Sequence, residues 1–430
     1  MQNVNLVGAG LVGSLLSIVL AKRGYQVTIR EGRPDMRVEK ISAGRSINLA
    51  LSTRGLHALD LAGLSQQVMA EAIPMRGRMI HSSNGSLVLQ PYGRTGTECI
   101  NSVSRGSLNK LLMTAAEKHG VAIKFNTKVN SVDLEREAPM IGTDGYASAV
   151  RHAIAEQPGA SWREFPLDYG YKELSISPGP GGSFKMEKHA LHIWPRGNFM
   201  LIALPNFDGS YTCTLFLPHK GPAPSFESLK SRDDVKVFFR THFSDALDLI
   251  EDAPGTFFEN PTGQMVTVKG SPWNLGSKAL LVGDAAHAIV PFFGQGMNCG
   301  FEDCTLIAQE LDTGHSLEHV ISTFGAKRRI DSDAIADLAV DNFTEMRDKV
   351  GQPAFLLEKE VERVLQNQFP DLYVSRYAMV TFSNAPYSLA LRAGVVHQKI
   401  LGELCRGLKS ADDVDLKRAE QLIREHLPVV

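Results

Sequence analysis

A glycine-rich segment near the N-terminus, Gly8-Ala-Gly-Leu-Val-Gly13, constrains the fold of this chain more than any other feature. It follows the short apolar run Val4–Val7 and opens a stretch in which leucine and valine recur at helical spacing. Gln26–Ile29 then predicts a second strand. The N-terminal segment is therefore predicted to form a β-α-β unit, which requires a parallel sheet covered by helices.

The spacing of these glycines also predicts a dinucleotide site. Glycine lets the turn tighten and lets the backbone approach a pyrophosphate, whose charge is met by the free amides and the dipole of the helix N-terminus. Glu31 follows the predicted second strand, where a carboxylate accepts hydrogen bonds from the ribose hydroxyls of adenosine. The alternative is a chance glycine-rich turn, and the position of Glu31 favours the dinucleotide.

The middle of the chain is predicted to form a second lobe. Between Tyr171 and Leu217, runs of β-branched and aromatic residues are separated by Gly, Asn and Asp turns, which predicts a largely antiparallel sheet. From about Arg78 to Val103 the chain is turn-rich and polar, and Gly106–His119 predicts a helix. A buried strand is predicted at Ala279–Val282, followed by a helix to about Leu311, and the rest of the chain is predicted to be helical.

Composition excludes several classes of protein. The 430 residues are 43% hydrophobic and carry a net charge of -2, so a disordered chain and a nucleic-acid partner are not expected. The five cysteines are scattered without a paired framework, which predicts a reducing, cytoplasmic environment. The apolar run Val4–Ala21 lacks a basic leader and is broken by glycines, so we expect neither a signal peptide nor a membrane anchor. A homodimer is left open.

A second glycine-rich stretch, Gly283-Asp284-Ala-Ala-His287 followed by Gly294-Gln-Gly-Met-Asn298, predicts a close approach of backbone to a flat ligand. Asp284 would reach a ribityl hydroxyl, and the amides after Gly294 would face an isoalloxazine ring. Together with Gly8–Gly13 and the central motif Thr143-Asp144-Gly145-x-x-Ser148-x-Val150-Arg151, the chain resembles the single-component aromatic hydroxylases that bind FAD. Three fingerprints in the same order make an accidental likeness improbable.

The resemblance implies an α/β fold, with a Rossmann-like FAD-binding domain, an inserted, mainly antiparallel β-sheet substrate domain and a C-terminal helical cap. The expected boundaries are 1–75, 101–168 and 276–338 for the FAD-binding domain, 76–100 and 169–275 for the substrate domain, and 339–430 for the helical region.

The resemblance also implies the cofactors. FAD is bound, and NADPH is a transient co-substrate because only one dinucleotide fingerprint is present. The reaction is hydroxylation of an aromatic ring through a flavin C4a-hydroperoxide, since the cofactor carries the difficult chemistry. The backbone of Gly296, Met297 and Asn298 would stabilise reduced flavin, although Asn298 alone also suits a helix cap. Arg105 and Asp144 complete the expected cofactor contacts, and no side chain is assigned as a catalytic acid or base.

Further blocks resemble a branch of this family whose substrate is an aromatic amino acid. The blocks used are 44–51, 75–79, 90–93, 171–174, 191–195, 291–298 and 379–383. By resemblance Arg78 and Tyr92 bind the substrate carboxylate, because an arginine fork with a phenol donor suits that group. Asn342 and Tyr387 complete the pocket, unless they are packed polar residues. Phe216, Pro291, Phe292 and Phe293 form a ring-facing wall or ordinary core.

Several alternatives remain open. Another flavin hydroxylase of the class would act on a benzoate, a phenol or a substituted kynurenine or anthranilate, and a non-catalytic flavoprotein would bind the same groups without turnover. A plain nicotinamide dehydrogenase does not explain Asp284. Compared with the family, segment 133–143 is short by about one hairpin, which weakens stability more than chemistry.

The remaining histidines and cysteines are not expected to bind metal. His287 packs beneath the flavin loop rather than acting as a base. His315 and His319 have the spacing of a metal pair, but no carboxylate stands in register with them, and Cys299 and Cys304 have no second pair. We therefore predict no metal.

Overall fold

The computed structural model describes residues 2–39, 48–130, 138–349 and 352–427. Residues 44–47 of the block 44–51 and residues 133–137 of the shortened segment lie outside the described residues. The described chain forms two compact units. Unit 1 comprises Met1–Ala72, Val103–Leu167 and Met265–Ala339, and unit 2 comprises Ile73–Ser102, Asp168–Gln264 and Val340–Val430.

The strands of the described chain are, in order, β1 Asn3–Val7, β2 Gln26–Arg30, β3 Leu49–Leu51, β4 Ile73–Met75, β5 Gly77–His81, β6 Leu87–Pro91, β7 Ile100–Val103, β8 Ala122–Lys124, β9 Met140–Gly142, β10 Ser161–Ile176, β11 Ala190–Pro195, β12 Met200–Pro205, β13 Tyr211–Pro218, β14 Gly263–Ser271, β15 Asn274–Leu275 and β16 Ala279–Leu281.

The helices are α1 Leu11–Ala21, α2 Thr53–Ala62, α3 Ser65–Met69, α4 Arg105–Lys118, α5 Ala149–Ala155, α6 Arg232–His242, α7 Ser244–Leu247, α8 Ala253–Glu259, α9 Asp284–His287, α10 Gly296–Asp312, α11 Leu317–Thr344, α12 Pro353–Gln368, α13 Arg376–Thr381, α14 Tyr387–Leu404 and α15 Leu416–His426. Single turns of 3-10 helix span Pro180–Gly182, Pro291–Phe293 and Ala411–Asp413, and a π-helical turn spans Glu345–Lys349.

Unit 1 is built on a sheet with strand order β15-β16-β9-β1-β2-β8, in which all neighbours except β15 and β16 run parallel. Central strand β1 pairs with β2 on one side and with β9 on the other, so that Val7 lies opposite both Arg30 and Gly142. Apolar side chains of the sheet and of α1, such as Leu6 and Leu15, are fully buried. This arrangement confirms the predicted parallel sheet and brings the ends of β1 and β9 side by side.

Unit 2 contains a second sheet with strand order β10-β13-β12-β11-β5-β6. Its neighbours are antiparallel except β11 and β5, which run parallel. Trp194, Leu201 and Tyr211 pack with Phe239 of α6 and Phe257 of α8 in one apolar cluster. The mainly antiparallel sheet is thus as expected, whereas the sequence analysis assigned no helices between β13 and β14.

The segment from Arg78 to Val103 differs from its predicted turn-rich character, because it contains β5, β6 and β7. The polar residues Arg78 and His81 made this strand look like a loop in the sequence, although both are buried in unit 2. His81, for example, has both ring nitrogens within 3.0 Å of a partner, Asp245 at 2.8 Å and His192 at 2.9 Å.

The C-terminal helices belong to unit 2. Residues of α12, α14 and α15, including Val361, Ile400 and Leu422, form an apolar cluster of their own. In the part of the chain that the structure describes, no helix combines the length and the apolar character that crossing a membrane requires.

Candidate active site

The turn between β1 and α1 has the close packing that its glycines predict. A Cβ on Gly8 would lie 2.7 Å from the carbonyl oxygen of Thr143, and one on Gly13 would lie 2.1 Å from that of Gly8. Gly10 is different, because among the described residues no atom beyond its chain neighbours lies within 4 Å of the place where its Cβ would stand. Gly10 precedes the first residue of α1, and no side chain caps that helix end. Bare backbone and open space at a helix N-terminus suit a pyrophosphate.

Glu31 is buried and holds this turn in place. One carboxylate oxygen accepts a hydrogen bond from the amide of Ala9 at 2.8 Å, and the other accepts from the amide and the Nε of Arg33 at 2.9 and 2.8 Å. Burial opposes ionisation, but the hydrogen bonds from Arg33 and Ala9 outweigh it and lower the pKa of Glu31. Arg33, which the sequence analysis did not consider, places a half-exposed guanidinium beside the expected ribose site.

The central fingerprint joins the other two. The Thr143 hydroxyl donates to the carbonyl oxygens of Val7 and Gly8, at 2.9 and 3.0 Å. Arg151 donates to the carbonyl oxygen of Ala285 at 3.2 Å, within the third fingerprint. Asp144 accepts from the amide of Ala149 through Oδ2 at 2.7 Å, while its buried Oδ1 has no partner among the described residues.

The third fingerprint turns sharply at Gly283, whose φ of 65° favours glycine. A Cβ there would lie 3.0 Å from Val12 of α1, and one on Gly300 would lie 2.7 Å from the same side chain. The third fingerprint thus packs directly on the helix of the first. Asp284 is exposed, and in the described chain its carboxylate has no hydrogen-bond partner, as a ribityl ligand requires.

Helix α10 offers its first amides to a ligand. The first backbone bond of this helix is made by Cys299, which donates to Gln295 at 2.8 Å, so the amides of Gly296, Met297 and Asn298 have no backbone acceptor within the described ranges. The Asn298 side chain is occupied elsewhere. It accepts from the amide of Ser52 at 3.0 Å and donates to the carbonyl oxygens of Ala50 and Gly294, both at 2.8 Å.

The remaining predicted site residues of unit 1 lie at helix starts and in a 3-10 turn. Arg105 is exposed at the first position of α4, where Ser104 caps the helix. Pro291, Phe292 and Phe293 form the 3-10 turn that precedes Gly294, with the two phenylalanines buried and the proline exposed.

In unit 2, Arg78 and Tyr92 form a buried pair. Arg78 lies on β5 and Tyr92 directly after β6, and the guanidinium carbon is 5.7 Å from the centre of the Tyr92 ring. Both residues are 8% exposed, and neither the Arg78 Nε nor the Tyr92 hydroxyl has a hydrogen-bond partner among the residues described. Two buried donors without acceptors on adjacent side chains call for an explanation, and they predict a ligand that brings oxygen atoms.

Tyr377 and Glu345 complete this cluster, and the sequence analysis missed both. The Tyr377 ring stacks on Tyr92, with centroids 5.2 Å apart, and lies 5.0 Å from the Arg78 guanidinium carbon. Glu345 is 3.9 Å from Arg78 and 3.2 Å from Arg376. Tyr377 stands two residues before the block 379–383, a signal that was available in the sequence.

The charge states of the cluster follow from these contacts. Burial opposes the charge of Arg78, but Tyr377, Tyr92 and Glu345 outweigh it and raise its pKa. Burial raises the pKa of Tyr92 well above its ordinary value, so its hydroxyl remains a donor at neutral pH. Burial also opposes the ionisation of Glu345, yet Lys359, Arg78 and Arg376 lower its pKa.

The other predicted substrate residues in unit 2 are buried. Asn342 lies in the last turns of α11 and donates to the sulfur of Met346 at 3.3 Å. Tyr387 is the first residue of α14. Phe216 lies on β13, paired with Tyr171 and Met200. Contact of Asn342, Tyr387 and Phe216 with the substrate stays a prediction.

One statement about metal ligands was wrong. His315 and His319 do have a carboxylate neighbour, Glu310, whose Oε2 is 2.8 Å from His315 Nδ1. It was missed because it lies near the end of α10, before the turn that leads to the histidines. Its other oxygen pairs with Lys327 at 2.7 Å, and the histidines are exposed, so we do not assign a metal here.

The residues of unit 1 fit FAD. The open space at Gly10 accepts a pyrophosphate, Asp284 offers a free carboxylate, and the start of α10 offers amides to the polar edge of the isoalloxazine ring.

Comparison with known proteins agrees with this fit. The family described as FAD binding domain matches residues 1–139 and 233–339. Kynurenine 3-monooxygenase of Myxococcus xanthus (strain DK1622) is 55% identical over 444 residues, which cover 99% of this chain and 96% of that protein. The enzyme of the same name from Xanthomonas axonopodis pv. citri (strain 306) is 43% identical, covering 99% of this chain and 97% of that protein.

Solved structures show the same fold at lower identity. Tetrameric 2-methyl-3-hydroxypyridine-5-carboxylic acid oxygenase aligns with a TM-score of 0.66 at 21% identity, over 85% of this chain and 97% of that one. PqsL of P. aeruginosa, in complex with 2-aminobenzoylacetate, aligns with a TM-score of 0.61 at 18% identity, over 80% of this chain and 99% of that one.

Proposed function

The chain belongs to the kynurenine 3-monooxygenase family of FAD-dependent enzymes, and from this we propose that it hydroxylates L-kynurenine at ring position 3. L-Kynurenine, NADPH, a proton and O2 give 3-hydroxykynurenine, NADP+ and water. Bound FAD supplies the redox chemistry that takes electrons from NADPH and activates O2. The residues of this chain bind the two molecules and set the charges around them.

The observation that carries the choice of substrate is the buried donor pair of unit 2. Arg78 Nε and the Tyr92 hydroxyl lack acceptors among the described residues, and Glu345 supports the charge of Arg78 at 3.9 Å. An α-carboxylate supplies the missing acceptors, and charge-assisted bonds of this type are the strong ones. A plain phenol has one uncharged acceptor oxygen and would leave at least one of the two donors unpaired, which costs about 1–3 kcal/mol.

Around the cofactor, backbone does most of the binding. We assign the pyrophosphate to Gly8, Gly10 and Gly13, the adenosine ribose to Glu31, and the ribityl chain to Asp284. The amides of Gly296, Met297 and Asn298 stabilise negative charge on the reduced cofactor, because they stand at a helix N-terminus. Arg105 and Asp144 remain assigned to FAD, and Pro291, Phe292, Phe293 and Phe216 to the ring of the substrate.

We assign FAD binding to 1–75, 101–168 and 276–338, and substrate binding to 76–100 and 169–275 with support from the helical region 339–430. The five free cysteines support a reducing, cytoplasmic location. Whether the protein forms a homodimer can be tested by measuring its mass in solution by sedimentation.

The test is the product formed from L-kynurenine, NADPH and air by the purified protein. We expect one added oxygen atom, and NADPH consumption that accelerates when kynurenine is present. Acceleration by a hydroxybenzoate or anthranilate but not by kynurenine would move the assignment to another hydroxylase of the class. Bound FAD without turnover of any arene would show a non-catalytic flavoprotein.

A further inference from the structure

Five ionisable side chains form a continuous buried chain in unit 1, beneath the third fingerprint. They are Arg54 of α2, Glu302 and Asp303 of α10, Arg328 of α11 and His287 of α9, and none is more than 9% exposed. We call this set the buried ionic chain. Burying so many charges costs free energy of folding unless each charge has a partner. The presence of the buried ionic chain therefore calls for an explanation.

Asp303 is the centre of the buried ionic chain. Its Oδ2 accepts from the amide of Gly283 at 2.9 Å and lies 2.6 Å from His287 Nε2. Its Oδ1 accepts from Arg328 Nε at 2.8 Å. Asp303 thus joins the turn before Asp284 to α10 and α11.

Glu302, the residue before Asp303 on α10, extends the buried ionic chain. It accepts from Arg328 Nη2 at 2.7 Å through one oxygen and pairs with Arg54 through the other. Arg328 Nη2 is also 3.2 Å from the sulfur of Cys299. A guanidinium therefore stands beside the group formed by His287, Cys299 and Asp303, which argues against a metal ion there.

The net charge of the buried ionic chain depends on the protonation of His287. Two arginines and two carboxylates balance each other, so a neutral His287 leaves these five side chains with no net charge, and a protonated one leaves them with a single positive charge. Burial opposes protonation, but the Asp303 carboxylate outweighs it and raises the pKa of His287 well above its ordinary value. The geometry agrees, because a 2.6 Å contact to a carboxylate is typical of a charge-assisted hydrogen bond.

The buried ionic chain lies next to the segments that we assign to the cofactor. Cys299, Glu302 and Asp303 lie in the first two turns of α10, which begins with the Gly296–Asn298 amides, and Gly283 adjoins Asp284. A fixed positive charge in this low-dielectric location favours a negatively charged group at the same helix end.

We propose that His287 is a positioning residue of the flavin site, held as an imidazolium by Asp303, and that its positive charge favours the reduced, anionic flavin over the oxidised form. It acts through Asp303 and the helix start rather than by touching a reacting atom. The proposal rests on FAD binding by unit 1 and is independent of which arene is the substrate.

The test is the midpoint potential of bound FAD in the His287→Gln holoenzyme, measured by equilibration with a reference dye without substrate. The glutamine amide replaces Nε2 as the donor to Asp303 and removes the charge. We expect FAD content to be retained and the preference for reduced over oxidised FAD to fall about tenfold, which is about 30 mV for a two-electron couple.

The matched control is His81→Asn. His81 is also buried and also contacts an aspartate, with Nδ1 2.8 Å from Asp245, but it belongs to unit 2. Asparagine replaces Nδ1 as the donor, and we expect the flavin potential to remain at its wild-type value. A potential that stays unchanged in His287→Gln, with FAD bound, overturns the proposal, as does an equal shift in both variants.

A second measurement does not depend on the folding of His287→Gln. Nitrogen-15 NMR of the histidine-labelled His81→Asn holoenzyme at pH 8.5, with the His287 resonances assigned, should show His287 as an imidazolium. A neutral His287 would overturn the proposal. Because neither measurement uses kynurenine, a wrong substrate assignment leaves both results interpretable, whereas failure to bind FAD would overturn the proposal and the proposed function together.

Discussion

At the scale of single residues, several side chains expected to contact FAD also hold backbone in place. Glu31 binds the amide of Ala9, Asp144 binds that of Ala149, and Asn298 bonds to backbone in two other segments. Sequence spacing predicted which segments meet the cofactor, because glycine turns and helix starts are local features. It did not predict which atoms remain free, because that depends on neighbours such as Arg33 that approach only in the fold.

The cluster around Arg78 and Tyr92 shows the same limit of prediction from sequence spacing. Arg78 and Tyr92 were expected to act together, and the structure brings them together. Tyr377, which stacks on Tyr92 at 5.2 Å, was missed, whereas the assignment of Tyr387 from the same helical region stays a prediction. Spacing within a run of helices does not say which tyrosine faces a distant strand, and that information comes only from packing.

Gly10→Ala tests the open space at the start of α1. The added methyl would occupy the space assigned to the pyrophosphate, and beyond its chain neighbours it would meet no atom of the described residues within 4 Å. We expect FAD to bind about tenfold more weakly, about 1.4 kcal/mol, with the stability of the apoprotein unchanged. Isothermal titration of apoprotein with FAD measures the effect.

Gly402→Ala is the control, because a Cβ at Gly402 of α14 also meets no described atom within 4 Å outside the neighbouring helix backbone. Its FAD affinity should equal that of the wild type. Equal weakening in both variants would show that the space at Gly10 is not the pyrophosphate site.

Arg78→Ala tests the carboxylate site. We proposed that this buried guanidinium binds the substrate carboxylate, so its loss should lower kcat/KM for kynurenine about 10- to 100-fold, mainly through KM, since such hydrogen bonds contribute about 1.5–3 kcal/mol. FAD content should be unchanged. Steady-state NADPH oxidation and flavin absorbance give the two quantities.

Arg232→Ala, in which an exposed arginine of unit 2 is removed, should retain wild-type KM. If Arg78→Ala lost flavin in proportion to activity, Arg78 would have a structural role and the carboxylate assignment would be wrong.

At the scale of elements, the three fingerprints form one interlocked structure. Thr143 bonds to the end of β1, Arg151 bonds to Ala285, and Gly283 and Gly300 pack on Val12. Strands β1, β2 and β16 and the helices α1, α4 and α10 were predicted within a few residues, because parallel strands are short apolar runs and helices follow glycine turns. Strand β9 and helix α5, which hold the second fingerprint, were not assigned. Strand β5 was not, because its polar residues are buried with partners from distant elements, so its pattern resembles a polar loop.

Thr143→Val tests how far the second fingerprint supports the first. Valine keeps the shape but removes both hydrogen bonds to Val7 and Gly8, and leaves one acceptor, the Gly8 carbonyl, without that donor. We expect a loss of stability of about 1–3 kcal/mol together with weaker FAD binding. Thermal unfolding with and without excess FAD measures both.

Ser148→Ala provides a comparison within the same fingerprint, since Ser148 only caps α5 by accepting from the amide of Arg151 at 2.9 Å. It should lose about 1 kcal/mol of stability and keep its FAD affinity. Normal FAD affinity in Thr143→Val would show that the turn at Gly8 is held without the second fingerprint.

At the scale of the whole molecule, burial of titratable groups links stability to pH. Burial lowers the pKa of His192 and of His397, each to about 4, so both are neutral in the folded protein at mildly acidic pH. The unfolded chain protonates its histidines near 6.5, so between about pH 6.5 and 4 it binds more protons than the folded chain. Stability should therefore fall as the pH is lowered through this window and be fully present above it.

His397→Phe tests this linkage at one site. His397 is 3% exposed, its ring centre lies 4.5 Å from that of Tyr373, and its Nδ1 has no partner among the described residues. Phenylalanine therefore removes a buried group that only the unfolded chain can protonate freely. We expect little change in the urea midpoint at pH 8 and a gain over wild type at pH 5 of roughly 2 kcal/mol, because one such group contributes about 1.4 kcal/mol per pH unit inside the window. His426→Phe, at an exposed position of α15, should leave the pH dependence as in the wild type. An identical pH dependence in His397→Phe and wild type would mean that His397 has the same pKa in the folded and unfolded protein, and the acid sensitivity would then have to come from His192 or from other groups.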